Sequence, residues 1–140
     1  MGISKASAEW TGGLKDGKGS MKPAHAGDIG FSLGSRFEGQ PASNPEELIG
    51  AALAGCYSMA LTAALERAGL KPASVRTSAD VTLEKLADGF SITGIALTAQ
   101  ANVPGVDAAK FQQVAEETKK SCPVSKALAA TPITLNASLG

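Results

Sequence analysis

Two cysteines, three arginines and a glutamate-rich helix start are the groups in this 140-residue chain that could carry redox chemistry. Cys56 lies in "GAALAGCYSMAL", Gly50–Leu61, a charge-free run of small residues. A cysteine there reads either as a small core hydrophobe or as a thiol kept dry for reaction. Cys122 opens "CPVSKALA", where Pro123 suits the first helical position and Cys122 the cap. A helix start favours a thiolate, so the residues alone nominate Cys122 as the more acidic thiol. Cys56, mid-helix in apolar surroundings, should be raised, and it needs a cation from elsewhere. Arg67 is three turns further along the same helix, and Arg76 is on the polar face of a strand. Arg36, read as the end of a strand before turn residues, is free to reach inward. A buried guanidinium needs an anion. Glu46, in the first turn of the long helix, can pair with it and leave N–H groups for a thiolate or a peroxide oxygen.

The elements that must position these groups follow from period and punctuation. Ala6, Ala8 and Trp10 alternate as a half-buried strand, Asp16-Gly17 marks a hairpin turn, and Ile29, Phe31 and Leu33 alternate as a strand running towards Arg36. "SNPEELIG" starts a helix, with Asn44 at the N-cap, Pro45 first and Glu47 third in a capping box; Gly69 stops it. Its uncharged run from Leu48 to Leu65 is long enough to test as a membrane span. The alanine and glycine content argues instead for the central helix of a core. Gly50, Ala51, Ala54 and Gly55 form a small-residue ridge, to be covered by a partner subunit or by a sheet of the same chain.

Val75, Thr77, Ala79, Val81 and Leu83 share one face of the next strand. In the strand after it the apolar phase switches from Phe90 and Ile92 to Ile95, Leu97 and Ala99, which predicts a bulge at Gly94. Asp107 caps a helix with Phe111, Val114, Ala115 and Thr118 on one face, and Lys119 and Lys120 at its end. A short helix follows Pro123. Ile133, Leu135, Ala137 and Leu139 alternate in a closing strand. The order, strands–long helix–strands–helix–short helix–strand, predicts one α+β domain over residues 1–140.

Thirteen Lys and Arg balance thirteen Asp and Glu, so no field attracts nucleic acid or an anionic membrane. "MGISKASAEW" has no apolar signal core, and Lys5 and Ala6 do not complete a myristoylation pattern, so a cytoplasmic location is expected. In a reducing compartment two cysteines are functional or simply buried rather than a staple. His25, the single histidine, sits in a glycine-rich loop and reads as structural or solvated; no metal set and no bound organic cofactor is expected. There is no nucleophile elbow and no phosphate loop.

"SRFEG", "NPEELIGAALAGCYSMAL", "VPGVDAAKF" and "CPVSKAL", in this order, resemble the OsmC branch of the OsmC/Ohr family of thiol-dependent hydroperoxide reductases. The resemblance implies an intertwined α+β homodimer, two sheets wrapped around two central helices, with active sites at the dimer interface. It implies that Cys56 attacks the peroxide, that Cys122 resolves the resulting sulfenic acid as a disulfide, and that Arg36 and Glu46 are the activating pair. This reverses the nomination of Cys122 from its helix position. The implied reductant is a dithiol, lipoyl groups on lipoylated proteins, and the implied substrates are organic hydroperoxides. Tyr57, Met59 and Phe37 are possible pocket walls, with core packing as their ordinary role. A redox sensor with a regulatory disulfide, or a stress-related binding protein, remains an alternative reading.

Overall fold

The computed structural model describes residues 2–140. The chain is α+β and divides into two compact units, one up to Leu48 and one from Ile49 to Gly140.

The first unit holds a three-stranded antiparallel sheet in the order β1 (Ala6–Thr11), β2 (Lys18–Pro23), β3 (Ile29–Phe31). The predicted hairpin joins β1 to β2, with Trp10 Nε1–H donating to Gly13 O at 3.1 Å across the turn. Every residue of β1 is exposed, so the expected half-burial is not found within this unit. The strand expected to run towards Arg36 also ends early. After Phe31 the chain enters α1 (Leu33–Phe37), and Arg36 sits on that helix rather than at a strand end. The reason is local. Ser32 Oγ accepts from Ser35 N–H at 3.1 Å and Ser35 Oγ accepts from Ser32 N–H at 2.9 Å, a reciprocal capping box.

The long helix α2 spans Pro45–Arg67. Asn44 caps it as predicted, its Oδ1 accepting from Glu47 N–H at 2.8 Å. The Glu47 carboxylate accepts from Ser43 Oγ at 3.0 Å. At the far end Gly69 takes φ 83°, and the bonds Leu70 N–H to Leu65 O and Gly69 N–H to Glu66 O close the helix.

The second unit contains a sheet in the order β4 (Ser74–Leu86), β5 (Gly89–Asn102), β6 (Ile133–Leu139), with β4–β5 antiparallel and β5–β6 parallel. The predicted bulge is there: Thr82 pairs with Gly94 and Leu83 with Ile92, leaving Thr93 as the extra residue. Beyond it Ile95, Leu97, Ala99 and Ala101 are buried on one face, while Ala96, Thr98 and Gln100 are exposed on the other. The parallel crossover to β6 is made by α3 (Ala108–Ser121) and α4 (Pro123–Ala127). Asp107 caps α3 through Lys110 N–H at 3.0 Å, and Phe111, Val114, Ala115 and Thr118 are its buried face, as the period predicts.

By length and mean hydropathy, 1.7, α2 would pass as a membrane-crossing helix. Its stripe Leu53, Tyr57, Leu61 and Leu65 is instead fully buried in the protein core. A Cβ added at Gly50 would lie 3.2 Å from Val81 Cγ2, and Ser58 and Thr77 hydroxyls meet at 2.7 Å, so α2 packs directly on β4. The opposite side of α2 is open: Ala51, Ala52 and Gly55 are exposed, and Met59 is 79% exposed. Nothing lies within 4 Å of a Cβ built at Gly55.

Candidate active site

The structure brings the four nominated residues together as two pairs. Each pair lies within one unit.

In the first unit Arg36, on α1, meets Glu46, in the first turn of α2. Arg36 Nε donates to both carboxylate oxygens, at 3.0 and 3.2 Å, and Nη2 donates to Oε1 at 2.5 Å. The carboxylate is buried, with its side chain 8% exposed, while the guanidinium side chain is 35% exposed. These contacts use the Nε edge of the guanidinium. Its five N–H groups leave the Nη1 side available to another acceptor. The guanidinium carbon also lies 5.3 Å from the centroid of the Phe37 ring. Both ends of the pair are fixed by backbone: α1 is anchored by Ser35 Oγ–H donating to Ser43 O at 2.8 Å, and Asn44 Nδ2 donates to Ser35 O at 3.3 Å.

Arg36 also lines an apolar cavity of about 360 Å³ together with Trp10, Leu14, Phe31, Leu33 and Phe37. The Trp10 and Phe31 rings stack at 5.5 Å between centroids, tilted by 60°. Of these walls only Phe37 is anticipated from the sequence. The others fall in strand and turn positions where alternation gives a side but not a neighbour.

In the second unit Cys56, on the fourth turn of α2, and Cys122, at the junction of α3 and α4, are both free thiols. Their sulfurs are 2.9 Å apart and hydrogen-bonded. They come from positions 66 residues apart, so it is the packing of α3 on the sheet that joins them. Cys56 is partly exposed and Cys122 is fully buried. Burial, the hydrogen bond with Cys122 and the charge of Cys122 all raise the Cys56 thiol, against a lowering from the backbone of Val124. Burial also raises Cys122, but the hydrogen bond with Cys56 and the groups of Ser125 and Val124 at the start of α4 outweigh it, and the Cys122 thiol is lowered. Within this unit, then, Cys56 is raised and Cys122 lowered, and the hydrogen bond between them contributes to both.

Tyr57 is core rather than wall. It is fully buried, and its hydroxyl donates to Ala115 O at 3.1 Å, tying α2 to α3. Burial, then the charges of Glu116 and Cys122, raise its phenol. Met59 lies on the open face of α2, and His25 lines a surface cleft with Ile3, Lys5 and Pro23.

Residues 37–137 match the family model described as OsmC-like protein. The chain is 46% identical over 129 residues to a protein of Escherichia coli K12 named Peroxiredoxin OsmC, covering 90% of each. It is 32% identical over 90 residues to an organic hydroperoxide resistance protein of Xanthomonas axonopodis pv. citri, covering 64% of this chain and 61% of that protein. Among solved structures, an OsmC-like protein from Mycoplasma pneumoniae superposes with TM-score 0.78 at 14% identity, over 99% of this chain and 97% of that one. The organic hydroperoxide resistance protein OhrB of Bacillus subtilis superposes with TM-score 0.72 at 24% identity, over 97% and 98%. At these identities the two structures speak for the fold.

Proposed function

The chain belongs to the OsmC-like protein family, and from that premise we propose that it is a thiol peroxidase that reduces organic hydroperoxides to alcohols. The observation that carries this reading is the pair of free thiols 2.9 Å apart, only one of which reaches the surface. The reachable sulfur, Cys56, attacks the distal peroxide oxygen as a thiolate. The O–O bond breaks, the alkoxide leaves and takes a proton, and Cys56 becomes a sulfenic acid. Cys122, the more acidic thiol and already beside it, attacks that sulfur; water leaves and a disulfide forms. A dithiol then reduces the disulfide, and lipoyl groups on lipoylated proteins are the proposed source. A resting dithiol state suits a reducing compartment such as the cytoplasm.

Arg36 answers the electrostatic problem of Cys56. Its own surroundings raise that thiol, so a guanidinium must supply the positive charge, and Glu46 holds that guanidinium through its Nε edge. The apolar cavity on which Arg36 borders would take the alkyl part of the peroxide, favouring organic hydroperoxides over hydrogen peroxide. The open small-residue face of α2 supports the expected intertwined homodimer, in which a second copy covers that face and active sites form at the interface.

One experiment tests the reading: intact mass and free-thiol count after one equivalent of an alkyl hydroperoxide, for the wild type, Cys56→Ser and Cys122→Ser. The wild type should lose both thiols as one intramolecular disulfide, Cys122→Ser should stop at an oxidised Cys56, and Cys56→Ser should stay inert. If Cys56→Ser reacts and Cys122→Ser does not, the roles are exchanged. A wild type that keeps both thiols removes the peroxidase assignment.

A further inference from the structure

Ser125 is 5% exposed, and its Oγ is the buried side-chain oxygen without a hydrogen-bond partner among the described residues. A buried hydroxyl left idle forfeits its hydration without return, so its place calls for a use. Ser125 lies on α4 three residues after Cys122, the cap residue of that helix, and its side chain and backbone both favour the Cys122 thiolate. The Cys122 side chain makes no capping hydrogen bond to α4. In the resting dithiol the Ser125 hydroxyl is idle; it finds an acceptor when Cys122 carries a full negative charge.

Access separates the same two sulfurs. Cys56 is partly exposed and Cys122 is fully buried. The neighbouring cavity of about 440 Å³ is lined by Ser125 with Lys119, Lys120 and Lys126, and Cys122 is not part of its wall.

Resting on the peroxidase reading for its place in a cycle, we propose that the protein disulfide opens in one direction only: the reductant's thiolate attacks Cys56 Sγ, and Cys122 departs as a thiolate received by Ser125. In this step a bond forms between the reductant sulfur and Cys56 Sγ, the Cys56–Cys122 bond breaks, and its electron pair goes to Cys122. The second thiol of the dithiol, as a thiolate, then attacks the reductant sulfur of the mixed disulfide. Cys56 thiolate is released and the dithiol leaves as a cyclic disulfide, oxidised by two electrons. Exchange is faster when the departing thiol is the more acidic one, so burial and leaving-group stability select the same sulfur. Ser125 is a positioning residue in this scheme, acting through Cys122.

The test forms the disulfide in the wild-type protein with diamide rather than a peroxide, so that failure of the peroxidase reading leaves it intact. The oxidised protein is treated briefly with 2-mercaptoethanol, which cannot complete a ring, then quenched with acid, alkylated and peptide-mapped. The adduct is expected on Cys56 and the alkyl group on Cys122. An adduct on Cys122, or an even split, overturns the proposal. The second arm compares Cys56→Ser with Cys56→Ser/Ser125→Ala by thiolate absorbance across pH. Loss of the hydroxyl should move formation of the Cys122 thiolate to higher pH, and Ser125→Ala alone should slow reduction of the disulfide by about threefold or more. An unchanged titration with an unchanged reduction rate removes Ser125 from the mechanism.

Discussion

Arg36 and Glu46 form an ion pair of unequal burial, and the inequality sets what each substitution does. The carboxylate is held in the protein while the guanidinium keeps one side outward. Arg36→Lys retains a charge but not the fork that spans both oxygens. It should lower kcat/KM for an alkyl hydroperoxide by roughly 10–100-fold, a loss of the order of one charge-assisted hydrogen bond. If Arg36 is the proposed cation for Cys56, Arg36→Ala should in addition shift the rise of the pH–rate profile upward, because that thiol is already raised by burial. Stopped-flow rates of sulfenic acid formation across pH check both. At this scale the sequence was informative about type and silent about proximity. Glu46 is legible because a carboxylate in a first helical turn is well placed for a cation. The meeting of Cys56 with Cys122 is not, since nothing in a 66-residue separation fixes a contact; it entered through family resemblance. The Cys122 thiol is lowered first by its hydrogen bond with Cys56 and then by Ser125 and Val124 at the start of α4, so the helix start that the sequence shows is the smaller part of the cause. Acidity does not by itself decide which sulfur attacks, because the acidic one is the buried one.

Among the elements, the one that carries Arg36 was misread. Ile29, Phe31 and Leu33 keep strand period, and the period outlasts the strand by two residues. The signal that ends it is the spacing of Ser32 and Ser35, a reciprocal cap too short to change any hydrophobic pattern. Ser32→Ala should therefore cost about 0.5–2 kcal/mol of stability. It should also loosen α1 under Arg36, so peroxidase activity should fall while the Cys56–Cys122 disulfide still forms with diamide. Denaturant melts and the two oxidation assays separate these effects. By contrast α2, α3, β4 and the bulge in β5 follow the sequence closely. Each has a strong local device: Asn44 and Gly69, Asp107, unbroken alternation, and a glycine at the phase change. Where burial depends on a distant neighbour, as for β1, alternation predicted a buried side that its own unit does not supply.

For the whole molecule the open face of α2 is the feature that a proposed second copy must satisfy. At Gly55 a side chain meets nothing within this chain, so Gly55→Arg should be tolerated by the folded protomer. The same change places a charge on the face assigned to the partner. Light scattering should then report monomer where the wild type reports dimer; a dimeric Gly55→Arg removes this face from the interface.

The Tyr57 hydroxyl, donating to Ala115 O, holds α3 on α2, where two sulfurs 66 residues apart in the chain meet. Joining them covalently would cross-link a loop of that length and restrict the unfolded chain, by the chain-entropy model, by about 4 kcal/mol. The oxidised protein should accordingly melt several degrees above the dithiol form in a calorimetric scan. Molecules awaiting a reductant would then be the hardest to unfold and the slowest for proteases to cut, so a shortage of reducing power would preserve the stock of protein rather than deplete it.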